Sequence, residues 1–226
     1  MLLPDQILRS KRKSISLTVR QDGSLVVRAP SEMTDEEIQD FVDLKSSWIL
    51  NHRSRLLAQS EAYPPHQFSE GEIFLFFGGE YRLSFTDARL PTPFLDDRKR
   101  IILLSPAVSS PASAIKEFYR DSLKRHLARL IPELCVTYGF TPSAIRVNSA
   151  KTRYGSCGGK NTLNFSWRIA MAPVEVIRSV VIHELCHTVH HNHSSSFWKL
   201  VLKLDPGYSL SHQWLKEHQA ALLSLP

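Results

Sequence analysis

Residues 183–187 read His-Glu-Leu-Cys-His, and the segment leading through them carries Val176, Ile177, Val180, Val181 and Leu185. No other stretch restricts the fold as much. Those apolar positions repeat with the period of a helix that buries one face, and Pro173 suits a helix's opening turn. On such a helix, histidines four apart stack on one face, one turn of about 5.4 Å from each other. Both imidazoles can then converge on one metal ion, with Glu184 beside them.

A helix that presents two nitrogen ligands and a carboxylate together offers an ion an open position and supplies a base for the water there. The plain alternative is a surface helix that happens to be rich in histidine. Against it, Val180-Val181-Ile182 would bury the helix and shield the site, and further histidines follow at His190, His191 and His193. On a continuous helix His190 shares the face of His183 and His187. Seven residues, however, span about 10.5 Å, too far for three rings to converge on bonds of about 2.1 Å. If the helix ends near His191, Asn192 can take the left-handed conformation and His193 can swing back. His193 is therefore favoured as third ligand over His190. A carboxylate elsewhere, or His212, is the remaining choice, and His191 reads as solvated.

The rest of the chain reads as α+β. Residues 14–29 alternate apolar and polar side chains around Asp22-Gly23, a hairpin signal. A helix is expected from Thr34 to Leu57, opened by the capping-box pair Thr34 and Glu37. Segments 72–77 and 80–85 flank Gly78-Gly79 as a second hairpin, and 100–104 reads as a strand. Residues 88–97, with Pro91 and Pro93, read as a loop. From Pro111 the texture changes, because 114–138 carries Ile115, Phe118, Tyr119, Leu123, Leu127 and Leu130 at helical spacing, with Pro132 to bend it. A boundary near residue 108 then divides a β-rich N-terminal region with one helix, 1–108, from a C-terminal domain, 109–226. In the latter, 144–148 and 162–169 read as strands. The serines 194–196 cap one helix, and the Pro206-Gly207 turn precedes another.

With 226 residues, 42% of them hydrophobic, the chain can bury a core by itself. Met1-Leu2-Leu3 is broken at once by Pro4 and Asp5, and no apolar run approaches the roughly 18 residues of a membrane span. A soluble cytoplasmic protein without a membrane segment is the expectation. Cys135, Cys157 and Cys186 are odd in number and unpaired in spacing, as reduced thiols would be. The net charge of +6 and pI near 9.3 leave room for an anionic partner, nucleic acid included. Much of the excess sits in Arg9, Lys11, Arg12 and Lys13, where a solvated face is the simpler reading.

Several other residues have two readings. Arg153 and Tyr154 can face the cleft and stabilise an oxyanion or a phosphate, or Arg153 can pair with a carboxylate while Tyr154 packs. Cys186 points about 100° away from His187 around the helix and reads as core. Phe197 and Trp198 read as packing that anchors the helix after His193. Asn164, Ser166 and Arg168 alternate with Leu163, Phe165 and Trp167, giving a polar strand face against which an extended substrate could lie.

The run Thr152-Arg153-Tyr154-Gly155-Ser156-Cys157, then Leu163 to Arg168, Ala172-Pro173, His183 to His187, Asn192-His193-Ser194 and Phe197-Trp198 resembles the YgjP-like family of metallopeptidases. The likeness spans roughly residues 110–215. It implies a zincin-like domain, zinc on His183, His187 and His193, and Glu184 as the base. Tyr154 stands where the family usually has tryptophan, and Cys186 where a small residue is common. A looser resemblance to SprT-like proteases implies protein substrates attached to DNA, and some YgjP-like members carry a nucleoside-triphosphate pyrophosphatase role.

The reading is a zinc-dependent hydrolase acting on a peptide or protein. Its rivals are a hydrolase that uses the same site on a nucleoside triphosphate, and a nucleic-acid-associated protein whose zinc is structural. Three obvious ligands plus a carboxylate fit catalysis better than a closed structural site, which would use four protein ligands.

Overall fold

The computed structural model describes residues 2–20, 22–62 and 64–225, which form two compact units divided between Pro64 and Pro65. In the first, strands β1 (Gln6–Ser10), β2 (Ser16–Val19) and β3 (Leu25–Pro30) form a sheet of order β1-β3-β2. The expected hairpin is β2 with β3, antiparallel. Its turn is closed by the Ser24 N–H donating to Asp22 Oδ1 at 2.9 Å. The parallel strand β1 has every residue exposed, so no alternation marks it in the sequence.

Helix α1 (Asp35–Leu44) opens on a complete capping box: the Glu37 N–H donates to Thr34 Oγ1 at 3.2 Å, and the Thr34 N–H to Glu37 Oε2 at 2.7 Å. The single helix expected to Leu57 is in fact two. Lys45 leaves the helical conformation, its N–H shared between the carbonyls of Phe41 and Val42, and α2 (Ser46–Ala62) follows. The break keeps Ile49 in the same core as Ile38 and Val42, beneath Leu25 and Val27. The basic run meets the acidic start of α1, where Arg9 pairs with Asp35.

The second unit begins with β4 (Ile73–Phe76), β5 (Gly79–Phe85), β6 (Phe94–Asp96) and β7 (Ile101–Leu104), in the order β4-β5-β7-β6. Strand β6 lies in the segment expected to be loop; its three residues beside two prolines are too few to show a period. Helix α3 (Pro111–Tyr138) is capped by Ser110, runs through Pro132 and ends on Gly139 at φ 76°. It buries Ile115, Tyr119, Leu123, Leu127, Ile131 and Leu134, and burying each large apolar side chain stabilises by about 1.5–3 kcal/mol. These residues share one core with Phe74, Leu83 and Ile102 of the sheet and with Phe165, Trp167 and Val181 further on. That shared core moves the boundary away from residue 108, because the 73–104 sheet and α3 close over the same side chains.

A smaller sheet holds β8 (Ala144–Asn148), β9 (Gly155–Cys157) and β10 (Thr162–Ser166), ordered β8-β10-β9. The strand expected over 162–169 stops at Ser166 and becomes a buried 3-10 turn, Trp167–Met171. Arg168 therefore leaves the strand's polar face. It is buried, donates to the carbonyls of Ser149 and Leu225, each at 3.2 Å, and lies over the Trp167 ring. Because β10 is central, the edge available to a ligand is β9 or β8. Helices α4 (Val174–Cys186), α5 (Ser195–Leu204), α6 (Tyr208–Glu217) and α7 (Gln219–Leu223) complete the unit. Among the described residues, no helix is long and apolar enough to cross a membrane.

Candidate metal centre

Helix α4 is buried along Val176, Ile177, Val181, Ile182 and Leu185, which fixes where its last turn points. His183 and Glu184 ride on that turn and His187 caps it. The helix ends at Cys186, earlier than the expected end near His191. The chain turns at once: the His190 N–H donates to the Cys186 carbonyl at 2.9 Å, and Thr188 Oγ1 donates to the Leu185 carbonyl at 2.7 Å. Asn192 has a negative φ, so the expected left-handed residue is not what turns the chain. The sharp turn at 187–190 carries His193 back, and Ser194 then caps α5 by accepting from the Phe197 N–H.

Ligand atoms of His183, His187 and His193 all lie within 4.8 Å of one another. Nε2 of His193 is 3.2 Å from Nε2 of His187 and 3.4 Å from Nε2 of His183. Nitrogens bound tetrahedrally at about 2.1 Å stand about 3.4 Å apart, so the donor set fits a zinc-sized ion. Nδ1 of His187 donates to the His190 carbonyl at 3.0 Å. This fixes the tautomer and leaves Nε2 a bare acceptor. Nδ1 of His183 is buried without a partner. Burial, helped by the other imidazoles, lowers the His183 pKa to about 4, which keeps the ring neutral and able to ligate. His190 lends only its carbonyl, and His191 is exposed.

Aromatic rings wedge the imidazoles in place. Phe197 stacks on His187 at 4.3 Å, Trp198 on His193 at 5.6 Å and Tyr208 on His183 at 5.7 Å. Phe197 and Trp198 thus pack as expected, but against the clustered histidines themselves. Cys186 is core as read, its thiol pushed up to about 12 chiefly by burial.

Glu184 is buried and faces the edge strand β9. A Cβ at Gly155 would lie 2.6 Å from both Cγ and Oε1 of Glu184, so only glycine admits the carboxylate there. Oε2 is buried with no partner. Desolvation raises the carboxyl pKa to about 7, against the opposing pull of Arg153 and of the Cys157 backbone. A cleft of about 160 Å³ opens beside it, walled by Tyr154, Val180, His183, Tyr208, His212 and Leu215. Tyr154 thus faces the cleft, its phenol raised to about 12 by burial. Arg153 is exposed and acts on Glu184 through its charge alone.

Two participants escaped the sequence reading, Gly155 as the cradle of Glu184 and Tyr208 as a wall; His212, weighed there as a possible ligand, lies in the cleft wall and outside the three-histidine cluster. Tyr208 and His212 stack on each other at 5.7 Å; their spacing of four on a helix after the Pro206-Gly207 turn was the available signal. The chain matches no curated protein and no solved structure. Compared with protein families, residues 13–218 match the YgjP-like metallopeptidase domain, so the chain belongs to the YgjP-like family, a metallopeptidase type of metal-dependent hydrolase.

Proposed function

We propose that the protein is a zinc-dependent peptidase in which His183, His187 and His193 hold the ion and Glu184 is the general base. The observation that carries this is the convergence of the three Nε2 atoms beside the last turn of α4, which also carries a buried carboxylate with an unpartnered oxygen. When bound, such an ion polarises a carbonyl and makes water a better nucleophile. Glu184 takes the proton of the attacking water at Oε2 and passes it to the departing amine nitrogen. The β9 edge, three residues long beside Glu184, holds an extended peptide through main-chain hydrogen bonds. Val180 and Leu215 receive an apolar side chain in the cleft. Tyr154, kept protonated by burial, donates to the oxygen on which negative charge develops.

Elemental analysis of untagged protein tests the first half: one zinc per chain in wild type, none in His187→Ala. Turnover on a peptide panel, cut by orders of magnitude in Glu184→Gln, tests the second. The exposed guanidinium of Arg153 beside Glu184 favours a second reading, hydrolysis of a nucleoside triphosphate at the same site. A nucleotide panel run beside the peptides decides it, since activity on nucleotides alone that vanishes in Glu184→Gln would replace the peptidase reading.

A further inference from the structure

A second hollow, about 320 Å³, lies between the β4–β5 hairpin and α3 and shares no lining residue with the cleft beside Glu184. One wall is aromatic: Phe76 lies 4.6 Å from Phe77 and 5.0 Å from Phe118, centroid to centroid. The rim is basic, formed by Arg125, His126 and Arg129 of α3, and no acidic residue lines it.

Two features of the rim are unexplained by packing. Arg125 and Arg129 stand four apart on one helix, where like charges repel, and no carboxylate among the described residues pairs with either. Arg125 donates to the neutral Ser122 Oγ at 2.9 Å, whereas the helix neighbours of the two arginines have carboxylate partners, Arg120 with Glu117 at 2.8 Å and Lys124 with Asp121 at 3.0 Å. Between them, His126 Nε2 is buried with no hydrogen-bond partner, although its ring packs 5.2 Å from Phe77.

The aromatic wall is held firmly. Phe77 sits at φ 45°, a strained conformation for a residue with a bulky side chain. Its N–H donates to the Ala170 carbonyl at 2.7 Å, and the Gly78 N–H donates to Met171 at 3.2 Å. A Cβ at Gly78 would lie 2.8 Å from the Cα of Pro173. Strain kept in place by this many contacts fixes the ring toward the hollow's basic rim.

We propose that this hollow binds a small organic anion with an aromatic body. The ring lies against Phe76, Phe77 and Phe118, and a carboxylate or phosphate meets Arg125 and Arg129, with His126 Nε2 as a further donor. An enclosed apolar space of about 150 Å³ already admits a benzene ring, so the hollow has room for a ring and its charged group. Planar guanidinium groups suit either kind of oxyanion.

Calorimetric titration of the full chain, with amide-shift mapping, tests this using phenyl phosphate, 3-phenylpropionate, inorganic phosphate and benzyl alcohol. At least one aromatic anion should bind about tenfold or more tighter than phosphate or benzyl alcohol. Its shifts should fall on α3 and the β4–β5 hairpin, and the double variant R125Q/R129Q should weaken it by about tenfold or more. Which of the two binds tighter identifies the charged group. Equal binding by the double variant, shifts confined to His183, His187 and His193, or no binding by either aromatic anion would overturn the proposal. Both arginines are exposed, so their replacement leaves the fold intact, which thermal unfolding of the double variant verifies.

Discussion

At the scale of single residues, the pairing of Gly155 with Glu184 is the tightest constraint on the site. Replacing Gly155 by alanine brings a methyl group to 2.6 Å from the carboxylate; Gly155→Ala should displace Glu184 and cut turnover while zinc content holds, checked by kinetics beside metal analysis. Glu184→Gln should likewise keep its metal but lose about 10²–10⁴-fold in turnover. His193→Ala should weaken zinc binding by more than the 10–100-fold typical of losing a supporting hydrogen bond; His191→Ala should leave competition titrations with a chelator unchanged. The residues legible in the sequence were those whose relation is local: His183, Glu184 and His187 follow from the helical period alone. His193 was legible by elimination, although the chain brings it back through a tight turn at 187–190 and not through Asn192. Gly155 and Tyr208 were not, because each meets α4 from a different part of the chain, and His212 was read as a possible ligand and not as a wall of the cleft.

Among elements, α5 has the most to do with the site for its length. Its cap is one hydroxyl, Ser194 Oγ, accepting from the Phe197 N–H, and the residues it positions are Phe197 and Trp198, which stack on two of the histidines. Loss of a serine cap costs about 1 kcal/mol. Ser194→Ala should therefore lower stability by about that much in urea unfolding and weaken zinc affinity as well, though Ser194 is not proposed to touch the ion. The longer elements were readable because each repeats its period several times: the β2–β3 and β4–β5 hairpins, α3 and α4 all stand where alternation or helical spacing puts them. Strands β1, β6 and β9 were not. One is exposed throughout and the other two are three residues long, so their existence depends on a neighbour's free hydrogen-bonding edge.

For the whole molecule, the division between Pro64 and Pro65 places the family's motif residues, α3 and the four-stranded sheet in one unit with a continuous core. The change of texture near residue 108 reflects a switch from strands to helices inside that core. Residues 65–226 expressed alone should unfold cooperatively, followed by circular dichroism, and retain stoichiometric zinc; a piece starting at 109 should not, having lost Phe74, Leu83 and Ile102. Zinc at a free concentration a thousandfold above its dissociation constant should stabilise the chain by about 4 kcal/mol, read as a fall in melting temperature when a chelator is added. The turn from Thr188 to Asn192 gives that last effect a location. With His183 and His187 on one side of it and His193 on the other, a bound ion acts as a cross-link closing a short loop, as a disulfide does in an exported protein. Stripped of its ion, the chain should be nicked by proteases first at this exposed turn, ahead of any cleavage in α3.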